Sequence, residues 1–162
     1  MAPSRNGPTG TTHPSLLDLG RDLLNHRFRY YLAVFGDPTL PDHVTVEEGH
    51  FGVSSGWPRQ LTKYDHVLLY CTESYRLYSK SVPGVGVVEE VDHDNRRFFF
   101  RYQRLDKRVP LDELRLALHP DDRVKLANIR FDSFWLFPIK PRSYRNVVAL
   151  SKTAFRATTN CI

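Results

Sequence analysis

Apolar and polar positions alternate along this chain in short blocks with little room between them. Leu16, Leu17, Leu19, Leu23 and Leu24 recur at helical spacing behind Ser15, a suitable N-cap, and predict a short helix ending near Asn25. Residues 28–35 are aromatic and β-branched and stop at Gly36-Asp37-Pro38, the pattern of a strand. A proline-bearing loop follows, with one helical turn expected after Thr45, a short strand over 50–54 and a turn over 55–58. Residues 65–72 and 84–91 read as buried strands. Residues 96–103 read as a third, joined to the second by the turn at 92–95. A helix is expected from Leu111, with Pro110 near its first turn, then a last strand over 134–137 and a terminal helix over 147–154. Residues 75–80 and 141–145 are expected to be loops. Five or six strands at short spacing with small helices, no internal repeat and no strict βαβ alternation imply an α+β domain built around a β-barrel.

Composition supports a packed core. Of 162 residues, 41% are hydrophobic and 12% aromatic, which excludes disorder throughout. Residues 1–14, rich in Pro, Gly, Ser and Thr, read as a disordered leader, residues 15–156 as a single domain and residues 157–162 as a flexible tail. The apolar runs fall far short of the roughly 20 residues of a membrane span. The first residues also lack the apolar stretch of a secretory signal, so an intracellular chain is expected. Cys71 and Cys161 build neither a disulfide framework nor a metal knuckle.

Charge adds a direction. The net charge is +5 and the pI near 9.4, which suits a polyanionic partner. Basic residues concentrate between Asp94 and Arg108 and again from Arg123 to Arg156, whereas acids gather at Glu47-Glu48, Glu89-Glu90 and Asp121-Asp122. One basic side is expected.

Chemical motifs are sparse. Gly52-Val-Ser54-Ser-Gly56 satisfies G-x-S-x-G formally, with Asp65, His66, His93 and His119 as conceivable partners for a serine nucleophile. That motif works as a strand-to-helix elbow, and no amphipathic helix follows Trp57-Pro58; a small-residue turn is the simpler reading. The histidines never form H-x-H or H-x-x-x-H, so neither a metal site nor any other cofactor is implied. Gly84-Val-Gly86 lacks a third glycine and reads as a strand that another group approaches closely. Within 96–104, Arg97, Phe99, Arg101 and Gln103 share one strand face, and Phe98, Phe100 and Tyr102 the buried one.

The order of segments resembles the EVE domain family of the PUA-like group, which also includes YTH and ASCH domains. The resemblance rests on Tyr30-Tyr-Leu-Ala-Val-Phe, Gly49-His-Phe-Gly-Val-Ser-Ser, Leu61-Thr-Lys-Tyr-Asp-His-Val-Leu-Leu-Tyr and Pro83-Gly-Val-Gly-Val-Val-Glu-Glu-Val, and runs from about Arg29 to Val148. Tyr64 stands where the family usually has glycine, and Ser54-Ser-Gly-Trp57 follows the Gly-Val pair. The resemblance implies a PUA-like β-pseudobarrel of five or six strands flanked by short helices. It also implies a non-enzymatic reader that receives a flipped, modified base of a nucleic acid. DNA carrying 5-methylcytosine ranks ahead of RNA carrying a methylated base.

Tyr31, Phe51, Ser54, Ser55, Trp57, Tyr70 and Trp135 are the candidates for the base pocket. Arg59, Arg76, Lys80, Arg97, Arg101, Arg142 and Arg145 are the candidates for phosphate contacts. A protein-interaction module with a basic face and, further behind, a serine hydrolase using Ser54 remain the alternatives.

Overall fold

A computed structural model describes residues 28–41, 43–53, 56–129 and 134–152. The predicted first helix, the leader and the tail lie outside the described residues. Strands β1 (Tyr30–Phe35), β2 (His50–Gly52), β3 (His66–Cys71), β4 (Ser81–Asp92), β5 (Arg97–Pro110) and β6 (Trp135–Ile139) form one sheet of order β2-β5-β4-β3-β1-β6. β1 and β3 run parallel; the other pairings are antiparallel. Helices α1 (Leu111–Ala117), α2 (Pro120–Ala127) and α3 (Pro141–Lys152) complete an α+β architecture.

Why these segments pair follows from their side chains. β1 and β3 are buried on both faces and are accordingly continuous apolar runs. β5 alternates instead: Phe98 and Phe100 are buried, while Arg97, Phe99 and Arg101 are exposed, as the period of two requires. Register shifts at Leu69/Cys71, Val82/Gly84 and Val88/Glu90 add local twist and curl the sheet into a half-barrel. Curling brings β5 rings over β4. A Cβ at Gly84 would clash with the Tyr102 ring, and one at Gly86 would lie 2.6 Å from that of Phe100. The close approach expected at these glycines is therefore made by aromatic rings.

The sheet separates two cores. Its concave side holds Tyr31, Ala33, Phe35, Phe51, Val67, Leu69, Cys71, Phe98 and Phe100. The convex side packs Leu32, Val34, Leu68 and Tyr70 against Leu114, Leu118, Leu126 and Val147 of the helical layer. Burial pushes the Cys71 thiol well above its ordinary range.

Three local expectations change. Residues 141–145 are the first turns of α3 and not a loop; Pro141 opens the helix, and the buried Asp122 carboxylate accepts from the Lys140 amide at 2.8 Å and from Ser143 Oγ at 2.6 Å. β5 continues past Gln103 to Pro110, because Leu105 and Val109 reach the convex core. Helix α2 was not anticipated from its charged sequence. It starts with Pro120 behind His119, whose ring accepts from the Asp121 amide at 3.2 Å.

Candidate nucleic-acid interface

The short β2 strand and the β4–β5 turn meet at one corner of the sheet. Val53 donates its amide to the Arg96 carbonyl at 3.1 Å, which ties the end of β2 to that turn. Asp92 shapes the turn itself, accepting from the Asn95 amide at 3.1 Å and from Asn95 Nδ2 at 2.7 Å. The Asn95 side chain, and after it the Asn95 amide, holds the Asp92 carboxyl below the ordinary aspartate value. Arg96 adopts a φ of +51°, which reverses the chain into β5.

Beside this turn lies a cleft of about 550 Å³ lined by Gly56, Trp57, Arg59, His93, Asp94 and Arg96. Trp57 is half-buried. Its ring packs 6.3 Å from Phe98 of the concave core, and its Nε1 donates to His93 Nδ1 at 3.0 Å. Accepting through Nδ1 leaves the His93 ring proton on Nε2. Arg97, paired in register with Gly52 and Asp92, adds a third guanidinium at the same corner. One aromatic ring with an anchored edge thus stands among three arginines. That combination can stack on a base and neutralise the phosphates beside it.

The remaining pocket candidates disperse. Tyr31 and Phe51 are 1% and 0% exposed and belong to the concave core, which gives a base no access to their rings. Tyr70 and Trp135 pack on the convex side, across the sheet from Trp57. The five aromatics do not line one cavity, because β1, β3 and β6 send successive side chains to opposite faces. Ser54 and Ser55 lie outside the described residues.

The basic candidates divide as well. Arg59 and Arg97 belong to the Trp57 corner. Arg101 is exposed but pairs with Glu89 at 3.2 Å, since the hairpin sets the acidic end of β4 beside the basic start of β5. That pairing occupies one of the basic residues clustered between Asp94 and Arg108. Arg76 lines a separate groove with Asp37, Thr45 and Glu47, and Lys80 pairs with Glu73 at 3.3 Å. Arg142 and Arg145 are exposed on α3, which packs on the convex side.

The tyrosines of residues 75–80, a segment expected from sequence to be a loop, serve packing. Tyr75 is 2% exposed, and its hydroxyl accepts from the Val46 amide at 3.2 Å. Tyr78 stacks on it and donates to Glu47 Oε1 at 2.5 Å.

His93 and Arg96 were not among the sequence candidates for the site. Their signal was available in the turn itself, which folds back toward the Gly52-Val53 strand. Each conceivable partner of a Ser54 nucleophile has another task. Asp65 accepts from the Arg29 and Thr62 amides, His93 holds Trp57, His119 caps α2, and His66 stacks with Tyr30.

No family model and no curated protein matches this chain. Solved structures with a similar chain path include Rpa0253 from Rhodopseudomonas palustris, at 12% identity over 82% of this chain and 99% of that one, with a TM-score of 0.47. A serine-to-alanine variant of ASCH from Zymomonas mobilis shares 14% identity over 75% of this chain and 96% of that one, also at 0.47. The ASCH protein of Zymomonas mobilis shares 17% identity over 74% and 94%, at 0.41. ASCH is one of the PUA-like names grouped above with the EVE family; none of these three carries the EVE name.

Proposed function

We propose that this chain is a non-enzymatic nucleic-acid-binding module that holds one extruded base against Trp57, with Arg59, Arg96 and Arg97 on the neighbouring phosphates. The observation that carries the reading is the half-buried indole, fixed at one edge by His93 and opening into a cleft of about 550 Å³ among arginines. Extruding a base costs a few kcal/mol of stacking and pairing. An aromatic face returns about 1–3 kcal/mol per base, and phosphate contacts supply the rest.

A modified base is the intended ligand, with 5-methylcytosine in DNA ahead of a methylated RNA base. That order is supported by the resemblance to EVE-type sequences. Burying one added methyl contributes only about 0.8 kcal/mol, so close walls around the cleft must supply the remaining discrimination.

The test is a binding panel of matched single- and double-stranded DNA and RNA oligonucleotides, each with and without one modified base. Preferential binding of a modified strand, lost in Trp57→Ala, is expected. Equal binding of modified and plain strands would overturn the reader assignment. Salt-independent binding, or none, would overturn nucleic-acid binding altogether.

A further inference from the structure

A second concavity, of about 880 Å³, opens where the end of β3, the 72–80 segment and the start of α1 meet. This is a usual volume for a small-molecule site. Much of its polar lining is matched internally. The hydroxyls of Thr72 and Ser74 share a 2.9 Å bond, Glu73 pairs with Lys80 at 3.3 Å, and Ser79 donates to the Glu73 carbonyl at 3.3 Å.

Three lining groups, Tyr70, Asp112 and Arg115, lack such partners among the described residues, Asp112 being an exposed carboxylate in the first turn of α1. Tyr70 is 1% exposed, and its hydroxyl makes no hydrogen bond among the described residues, yet its oxygen is not one of the sealed, unpartnered ones. That oxygen therefore faces the groove. Arg115, exposed on α1, makes neither an ion pair nor a hydrogen bond among the described residues. Tyr70 and Arg115 are neighbours in charge as well as in position. Burial raises the Tyr70 phenol to about 12, and the Arg115 guanidinium is the group that acts most strongly against that shift.

A guanidinium only donates, and a neutral phenol offers its O–H. Two donors on one groove wall are complementary to an oxyanion; of the two carboxylates on the same lining, Glu73 is taken up by Lys80 and Asp112 stands exposed at the start of α1. Pro110 and Leu111 supply apolar wall on the same groove. We infer that this groove is a second binding site, for a small molecule bearing a carboxylate or phosphate monoester on an apolar body. Arg115 and the Tyr70 hydroxyl hold the oxyanion, and the apolar part lies along Pro110 and Leu111. The site is separate from the Trp57 cleft, because Tyr70 packs on the convex side of the sheet and Trp57 on the concave side.

Calorimetric titration of the full chain with phenyl phosphate, benzoate and inorganic phosphate tests the proposal. At least one of the two aromatic anions binds more tightly than inorganic phosphate; which of them binds better identifies the headgroup. Tyr70→Phe, which removes no internal bond, weakens that binding about tenfold at an unchanged melting temperature. Arg115→Gln weakens it at least as much, while oligonucleotide affinity stays at the wild-type value. Failure of both aromatic anions to bind, or equal binding by wild type and both variants, would overturn the site. A parallel loss of oligonucleotide affinity in Arg115→Gln would overturn its independence.

Discussion

Trp57 meets the concave core with one part of its indole and the cleft with another, so the two contributions separate on mutation. Trp57→Ala is expected to cost roughly 1–3 kcal/mol of oligonucleotide affinity per folded molecule, read by titration alongside a melting curve. His93→Ala removes the 3.0 Å anchor and the edge contact between imidazole and indole; affinity should fall while the melting temperature barely moves. Unchanged affinity in both variants would remove the indole from the interface. Gly49 is the strictest backbone position. Its φ is +72°, and an added Cβ would lie 2.6 Å from the Phe100 carbonyl oxygen. Gly49→Ala should destabilise the fold by about 2 kcal/mol or more in denaturant titration, through left-handed strain together with the clash. Much at this scale was legible beforehand. The alternation of Phe98 and Phe100 marked them as core, and Gly84 and Gly86 announced a close approach. Tyr64 stands where the resembling family has glycine, and the structure adds that its φ is +73°. Tyr75 and Tyr78 were not legible, because their partners Val46 and Glu47 come from a segment roughly 30 residues away.

Among the elements, the β4–β5 hairpin and the α2–α3 junction make separate predictions. The Asp92 carboxyl binds a proton less readily in the folded turn than in an unfolded chain. Its contribution is therefore complete above the ordinary aspartate value and is lost as pH falls through the lower folded value. Amide exchange at Asn95, corrected for intrinsic rates, should accelerate over that acidic window, and Asp92→Ala should abolish the pH dependence. At the other junction, the buried Asp122 carboxylate binds the Lys140 amide and the Ser143 hydroxyl. Asp122→Ala should cost about 2–4 kcal/mol in denaturant titration, because both donors lose a charged acceptor inside the fold. Ser143→Ala should cost less. This cap explains why the start of α3 was missed in the sequence: Pro141-Arg-Ser-Tyr-Arg145 resembles a loop until a carboxylate from α2 reaches it. Helix α2 was hidden for a related reason, since a buried aspartate takes one of its inward positions. The β-strands were easier to find, because each carries its own apolar pattern; only their ends moved.

At the scale of the molecule, ion pairing among the described residues takes up part of the positive charge, at Lys80, Arg101, Lys107, Lys125 and Lys140. Glu89 beside Arg101 and Glu73 beside Lys80 occupy two exposed cations, whereas at the Trp57 corner Arg59, Arg96 and Arg97 meet beside an aromatic ring. Replacing Arg59 or Arg97 with Ala should flatten the slope of log affinity against log salt by nearly one unit each for duplex DNA. Replacing Arg142 or Arg145 should leave the slope unchanged, and the reverse result would move the interface to α3. Composition announced a basic protein, but the location of its usable charge required the hairpin register, which no local pattern contains. Topology also sets a timetable for synthesis. β1 lies between β3 and β6, and Tyr30 is opposite Ile139. A ribosome must therefore add more than a hundred residues after β1 before its second neighbour exists, which takes on the order of ten seconds at about 5–20 residues per second. For that interval the nascent sheet presents the bare hydrogen-bonding edge of a wholly apolar strand, the kind of edge that chaperones shield and that seeds aggregation in chains stalled before Trp135.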